Sequence, residues 1–556
     1  MEQASSKDKG IALLLFLVGV GMYASTLTFG FTFDDLIHVV HNPQIRSWTG
    51  VREAVTSPMF PGNLYRPLVV LSYVLTYQWA ELAPFSYHLV NILCHGLVVV
   101  VLYFVVTKIA TKNIASLTAL LFAVHPIHTE TVTNISGRAE LFSAFFGLLS
   151  LWFFIRPKAK RSIPLSVVCL FFSMLSKESG IVFYPLALLV SLSLRTFSIK
   201  RSAYLLFSLL ASLVLRYVAL GSLLGESTID GIDNPIAFLP LFERVLNALY
   251  HLFQYFSLIL IPTNLSADYS FSHITPLQGA TLPVVASFVG LLVLFLLTVV
   301  LLFYRRHEGI FLGWFFVSFA VTANIFFPIG TVFAERLAYV PSIGVLGFLA
   351  SVLSLLERRA LRIGLITMLT LVFAAKGILY QQFWQNNELL FTRQYSITPR
   401  SIKTKINYAE VLRSHGKYHQ AHHILDEALQ LAPHSADVLF ALSLVEVDLG
   451  NSEGAKEYLQ MTLKENPEHR PARNSLARLF LNTKEFELAL REAEHILSLY
   501  PNDEKALITR FACALVFGKR ELADHTLATL EKLHIQDRDF LRLKQMYENN
   551  REEDRP

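Results

Sequence analysis

The sequence predicts an all-α membrane protein: a polytopic bundle of about eleven transmembrane helices over residues 1–390, then a helical-repeat solenoid over 391–556. Three observations carry this reading. Apolar residues make up 53% of the chain, at a mean hydropathy of +0.45, which excludes an ordinary water-soluble protein. Apolar runs of roughly spanning length, on the order of 20 residues, recur as far as residue 380. Beyond residue 390 charged residues become frequent and a 34-residue period sets in.

The chain opens on a polar segment, 1–9, with Lys7 and Lys9, ahead of an apolar run at 11–31 that has no small-residue cleavage site. This reads as an uncleaved signal anchor with a cytoplasmic N-terminus. Further apolar runs lie at 87–107, 114–130, 139–155, 163–177, 181–195, 203–220, 283–304, 309–327, 335–356 and 363–380. Several are short for a bilayer and must tilt or meet a thinned membrane. Basic clusters separate them in alternate loops: Lys108 with Lys112, RPKAKR at 156–161, RTFSIKR at 195–201, Arg305 with Arg306, and RRALR at 358–362. Cationic loops stay cytoplasmic, so the intervening loops lie outside. Two strong spans already connect the basic loops at 201 and 305. The segment 245–262, interrupted by Asn247, His251 and Gln254, is therefore expected as an interfacial or re-entrant helix, and the C-terminus emerges outside.

The tail repeats itself. Pro399, Pro433, Pro467 and Pro501 are spaced 34 apart, as are Ala421, Ala455, Ala489 and Ala523. Gly416, Gly450 and Gly518 hold one turn position, with Lys484 in the remaining copy, and Leu425, Leu459 and Leu527 recur on a packing face. This is the tetratricopeptide period: alanines admit close helix approach and proline ends each second helix. About four repeats and a polar end at 538–556 form a docking surface rather than a catalyst.

Ionisable residues gather in the outside loops: Asp34 with Asp35, His38, Arg46, Arg66, His125, His128, Glu130, Arg138, Glu140, Lys177 with Glu178, Asp268, and Glu335 with Arg336. Charged groups at a membrane boundary are costly, and their convergence on one rim points to a site for an anionic lipid headgroup. The net charge of +5 is spread over short clusters, which argues against nucleic acid as a partner. Cys94, Cys169 and Cys513 have neither metal-ligand nor disulfide spacing and read as buried filler.

Several of these residues lie in longer strings: FTFDDLIHVVHNPQI, LYRPLVVLSYVL, PFSYHLVNILCHG, LLFAVHPIHTETV, SGRAELF, LSKESG and AERLAYVPSIG. Together with the repeat tail they resemble the transmembrane and tetratricopeptide-repeat O-mannosyltransferases and their bacterial relatives. The resemblance implies the type-C glycosyltransferase fold and a polyprenyl- or dolichyl-phosphate sugar as donor. It also implies a catalytic acidic residue in the first outside loop. The expected function is transfer of a hexose, mannose foremost, to a hydroxyl acceptor on the non-cytoplasmic face, with inversion. The acceptor is a protein or glycan docked by the repeats. The expected compartment is the bacterial periplasm, with the lumen of the endoplasmic reticulum as the alternative.

Such a transfer needs a carboxylate to take the acceptor proton and cations to receive the departing phosphate. Asp34 or Asp35 supplies the first, with Asp35 preferred. Arg336 is the foremost phosphate clamp, because a guanidinium offers a bidentate fork; pairing with Glu335 is its structural alternative. Lys177 either meets phosphate or neutralises Glu178 beside it. Arg66 opens an amphipathic stretch at 68–80, expected along the interface, and reaches a headgroup from there. Glu130, Arg138 and Glu140 serve substrate binding or pair among themselves. His125 and His128 have metal-ligand spacing, but Pro126 between them favours packing or acceptor positioning, and neither a metal nor a cofactor is called for. Two rival classes stand beside this one: a non-catalytic membrane-anchored repeat scaffold for envelope assembly, and a transporter. The transporter requires midplane charges and inverted repeats that the sequence lacks.

Overall fold

The computed structural model describes all residues except 1–4, 61, 63, 157–160, 223–228, 230, 273, 278, 280, 534, 536 and 554–556. Most of the basic loop RPKAKR, the first four residues of the chain and the last three of the polar end lie outside the described residues. The chain divides into two compact units, Met1–Ser401 and Ile402–Pro556. Among the described residues the elements are helical, with two isolated bridges, Met59 to Leu64 and Phe271 to Ile274, as the only β pairing.

Among the described residues of the first unit, four helices are long and apolar enough to cross a membrane by length and composition: Pro84–Ile109, Ile199–Leu220, Leu282–Phe303 and Arg359–Trp384. Shorter apolar helices accompany them at Lys112–Val124, Ser162–Ser176, Glu178–Ser193 and Ser342–Ser354. Leu282–Phe303 turns Leu292, Val293, Phe295 and Leu296 outward. In lipid such a stripe has apolar solvent to meet and needs no protein cover. The first helix, Ser6–Met22, starts on a capping box formed by Ser5 and Asp8. Asp8 also pairs with Lys112 and accepts from Tyr103, which ties the adjacent ends of three helices together.

Two apolar runs fold shorter than their sequence extent. The run at 309–327 is helical only as His307–Phe319. The run at 335–356 becomes helix only at Ser342–Ser354, because Pro341 sits at its N-cap and restricts the residue before it. Glu335 and Arg336 therefore sit in the loop ahead of the helix, in the turn Glu335–Ala338.

The segment between the first helix and Pro84–Ile109 is a folded layer in its own right. Its helices Trp48–Thr56 and Pro67–Ala80 close over Val39, Ile45, Met59, Val70, Tyr73 and Val74, packed against Tyr87, Ile135 and Ala139. The stretch expected along the interface is thus half of a small core. Pro67 at the first helical position starts it without losing a hydrogen bond.

The second unit is four antiparallel helix pairs and an end helix. The pairs are Ile402–Ser414 with Tyr418–Leu431, Ala436–Asp448 with Ser452–Glu465, Arg470–Asn482 with Phe486–Leu499, and Glu504–Val516 with Arg520–Lys532; Arg538–Glu553 closes the array. Ala421, Ala455, Ala489 and Ala523 are fully buried between helices, which is the period read from the sequence. Gly416, Gly450 and Gly518 turn each pair with φ of +70°, +77° and +64°. Lys484 adopts +65° at the equivalent turn, so the backbone geometry holds even where glycine is missing.

Candidate active site

After Met22 the chain runs through a short turn, Ala24–Thr28, into an extended stretch, and Phe33 then takes a left-handed φ of +51°. That turn launches a single wide helical turn, Leu36–Val40, with Asp34 and Asp35 at its start. There the two carboxyls diverge, one facing in and the other partly out. Asp35 is fully buried. One of its oxygens accepts from the Ser136 backbone N–H at 2.8 Å and the other from that of Thr32 at 3.2 Å. Burial pushes its carboxyl up to about 7, against the opposing pull of those two N–H groups. Asp34 is only half-buried.

The groups that act on Asp34 are cationic or titratable. The Asp34 carbonyl lies 3.1 Å from Nδ1 of His38. Burial, and after it the nearby Arg66 and Arg336, hold His38 below its ordinary range, while Asp34 pulls it up. Arg336 resists the same burial because Glu130 first, and then Asp34 and Glu140, keep it charged. Asp34, His38, Arg66, Glu140 and Arg336 thus belong to one electrostatic cluster.

Each cation is held by a carboxylate from a distant segment. Arg336 gives Glu130 its guanidinium and also its backbone N–H, the latter at 3.0 Å. Arg66 gives Glu178 two hydrogen bonds, of 2.8 and 3.3 Å. Lys177 pairs with Glu140, and Arg216 approaches Glu178 to 3.8 Å. Both neighbour pairs considered on sequence are replaced. Lys177, on an extended backbone (φ −157°), gives its hydrogen bond to Glu140 rather than to Glu178, on which it acts only through space. Arg336 does not pair with Glu335, whose carboxylate accepts from the Ser266 N–H and, at 2.7 Å, from the Tyr269 hydroxyl. Burial raises Glu335 to about 8, and Glu130 adds to the rise.

Three expected site residues are consumed by the fold. Arg138 is fully buried between the rings of Tyr73 and Tyr87. Its donors go to Asn91 Oδ1 at 3.0 Å, the Tyr87 carbonyl at 2.9 Å, and the hydroxyls of Ser72 and Thr76. His125 meets the Ile259 carbonyl at 2.8 Å and accepts from the Ile127 N–H; His128 bridges the Phe122 carbonyl and the Ser342 hydroxyl. Both rings are fully buried, and Pro126 starts the tight turn that separates them. Among the described residues no group of three or more His, Cys, Asp or Glu is arranged to hold a metal ion.

Exposure ranks the remaining cations. The side chain of Arg336 is 30% exposed, that of Arg66 15% and that of Lys177 10%. Arg336 is therefore the most exposed of the three. Sequence reasoning assigned no role to His38 or Arg216. The signal for Arg216 was present, as a lone arginine in the C-terminal half of the apolar helix Ile199–Leu220.

Comparison with known proteins places this geometry in context. Residues 75–219 match the family described as dolichyl-phosphate-mannose-protein mannosyltransferase, 227–296 match the family described as protein O-mannosyl-transferase TMTC, and 412–479 match the tetratricopeptide repeat. The chain is 28% identical over 446 residues to protein O-mannosyl-transferase F38B6.6 of Caenorhabditis elegans, covering 77% of this chain and 64% of that one. It is 28% identical over 577 residues to human protein O-mannosyl-transferase TMTC3, covering 91% and 62%. Mouse protein O-mannosyl-transferase TMTC1 is likewise 28% identical, over 569 residues, covering 80% and 60%. The chain spans somewhat under two thirds of the length of these curated relatives.

Proposed function

We propose that this chain, a relative of the TMTC protein O-mannosyl-transferases, moves mannose from a polyprenyl-phosphate carrier to a serine or threonine hydroxyl of a protein on the non-cytoplasmic side of a membrane. The observation that carries the reading is Asp34: a half-buried carboxylate in one cluster with Arg336, Arg66 and His38, while its neighbour Asp35 is sealed by backbone N–H groups.

In this reading Asp34 takes the proton of the acceptor hydroxyl, and the oxygen attacks the anomeric carbon. The bond from that carbon to the phosphate oxygen breaks, its electron pair leaves with the polyprenyl phosphate, and the anomeric centre inverts. Arg336 receives the developing negative charge with Glu130 holding it in place, and Arg66 and Lys177 add positive potential behind it. Glu140 and Glu178 keep those cations oriented. Asp35 braces the loop against the Asn134–Ser136 turn. Arg138, His125 and His128 hold the scaffold.

The match to a dolichyl-phosphate-mannose family and the animal origin of the relatives favour a dolichyl carrier and the endoplasmic reticulum lumen over the bacterial periplasm. The repeats, in the same compartment, recruit the acceptor protein. The test is donor turnover: purified full-length chain in lipid nanodiscs, given dolichyl-phosphate mannose and serine- and threonine-containing peptides, releases dolichyl phosphate and yields mannosylated peptide. A well-folded chain that consumes no donor yet binds protein through its repeats is the scaffold, and the proposal fails.

A further inference from the structure

The loop that carries Asp34 does not hold its shape by itself. Phe33, immediately before it, has a φ of +51°, a left-handed conformation that a bulky aromatic residue adopts only under constraint. The constraint comes from residues more than 350 positions later. The Phe33 N–H donates to Asn387 Oδ1 at 2.8 Å. The Phe33 ring is set edge-on between Trp384 and Phe391, with ring centroids 6.5 and 6.2 Å away. Three residues earlier the Gly30 N–H donates to the Gln385 carbonyl at 3.0 Å. Asn387 opens the helix Asn387–Ile397, which Asn386 caps from its side chain.

We infer that Asn387 is a positioning residue for the transfer reaction: by accepting the Phe33 N–H it fixes the left-handed turn that aims Asp34 outward while Asp35 is sealed inward. The inference rests on the reading of Asp34 as the base. Strain of this kind persists only where the surroundings over-determine it, and it gathers where a functional group must be presented. Here the surroundings are one side-chain acceptor and two rings, all on the segment that leaves the last apolar helix. The Asn387 side chain meets the backbone of Phe33, not Asp34 or a cation of the cluster, so its effect passes through the backbone of Phe33. Releasing the acceptor lets φ of Phe33 relax toward negative values, and the peptide that carries Asp34 rotates with it. Side chains of the cluster that bind the lipid phosphate, Arg336 above all, are anchored elsewhere and stay in place.

This predicts a split between rate and donor binding. In the full-length chain in nanodiscs with dolichyl-phosphate mannose, Asn387→Ala is expected to lower kcat about tenfold or more while leaving the donor KM within about twofold, since a misaimed base costs rate rather than affinity. Asn387→Asp keeps an acceptor oxygen and is expected to restore kcat to within about threefold of the parent. Thermal unfolding of both variants is followed in parallel with Asp34→Asn. If Asp34→Asn is inactive and Asn387→Ala keeps the parental kcat, the positioning role is overturned and the base assignment stands. If both Asn387 variants lose kcat, donor affinity and thermal stability together, the contact is merely structural and the inference is likewise overturned. If Asp34→Asn retains full activity, the base assignment falls and this inference falls with it.

Discussion

Arg336 hands two donors, its backbone N–H and its guanidinium, to the single carboxylate of Glu130, which lies 206 positions earlier and is 1% exposed. A carboxylate that deep holds the arginine against motion, while the outer part of the guanidinium remains open to a ligand. The pair is thus a fixed, largely buried ion pair rather than a surface one, and the proposed function uses it as the receptor for the leaving phosphate.

Removing the guanidinium tests that receptor. Arg336→Ala is expected to lower kcat/KM for the lipid donor on the order of 10²-fold, the usual cost of deleting one donor that meets transition-state charge. Arg336→Lys recovers part of it, because a point charge keeps the potential and loses the fork. Kinetics of donor consumption check both variants, and an Arg336→Ala enzyme with unchanged kcat/KM contradicts the role.

Glu335 makes a prediction about pH. Its carboxyl is raised from an ordinary 4.5 to about 8, so the folded chain keeps a proton that the unfolded chain has lost throughout that window. Its contribution to stability is full below about 4.5 and is lost as pH rises through 8. Glu335→Gln removes that slope. One oxygen accepts from Tyr269 and Ser266, and the other is buried with no hydrogen-bond partner among the described residues, so the amide fits without opposing donors. Melting midpoints between pH 5 and 9 should diverge in favour of Glu335→Gln as pH rises; parallel curves refute the assignment.

Arg138 separates a structural cation from a ligand-binding one. Arg138→Met leaves the Asn91 side-chain oxygen and the Tyr87 carbonyl without their donor in a fully buried site, a cost of about 3 kcal/mol or more. The expected result is poor folding and a depressed melting temperature. A variant that folds normally and fails only in donor binding would move Arg138 into the site.

In the repeats, Lys484 occupies a turn at φ +65° where the other three copies carry glycine. Lys484→Gly is expected to stabilise the repeat unit by about 0.5–1 kcal/mol, the left-handed penalty less the entropy that glycine gains on unfolding. Chemical denaturation followed by helical signal measures it, and a lower midpoint in the variant contradicts the turn geometry.

The repeat fold was legible because proline, alanine and glycine recur at a fixed interval, and each has one physical reason to be there. The acidic pair was legible as well, since charge at a membrane boundary is conspicuous. Which of the two carboxyls is available was not legible. That choice depends on a left-handed Phe33 and on the Ser136 N–H 101 positions away, and no local pattern encodes either. The partners in the ion pairs were not legible for the same reason. Sequence proximity favours Lys177 with Glu178 and Glu335 with Arg336, whereas the fold crosses them to Glu140, Arg66, Tyr269 and Glu130. Arg138 looked like a boundary charge because the tyrosine faces that enclose it come from two other helices.

The division of labour between Asp34 and Asp35 is tested most directly by replacing each with asparagine in purified enzyme and measuring single-turnover mannose transfer together with donor affinity. Asp34→Asn is expected to fold, to bind dolichyl-phosphate mannose like the parent, and to lose about 10²-fold or more in transfer rate. Asp35→Asn is expected to lose stability first, as its amide must set a donor against a backbone N–H. Undiminished transfer by Asp34→Asn, with the loss confined to a stably folded Asp35→Asn, would contradict the account.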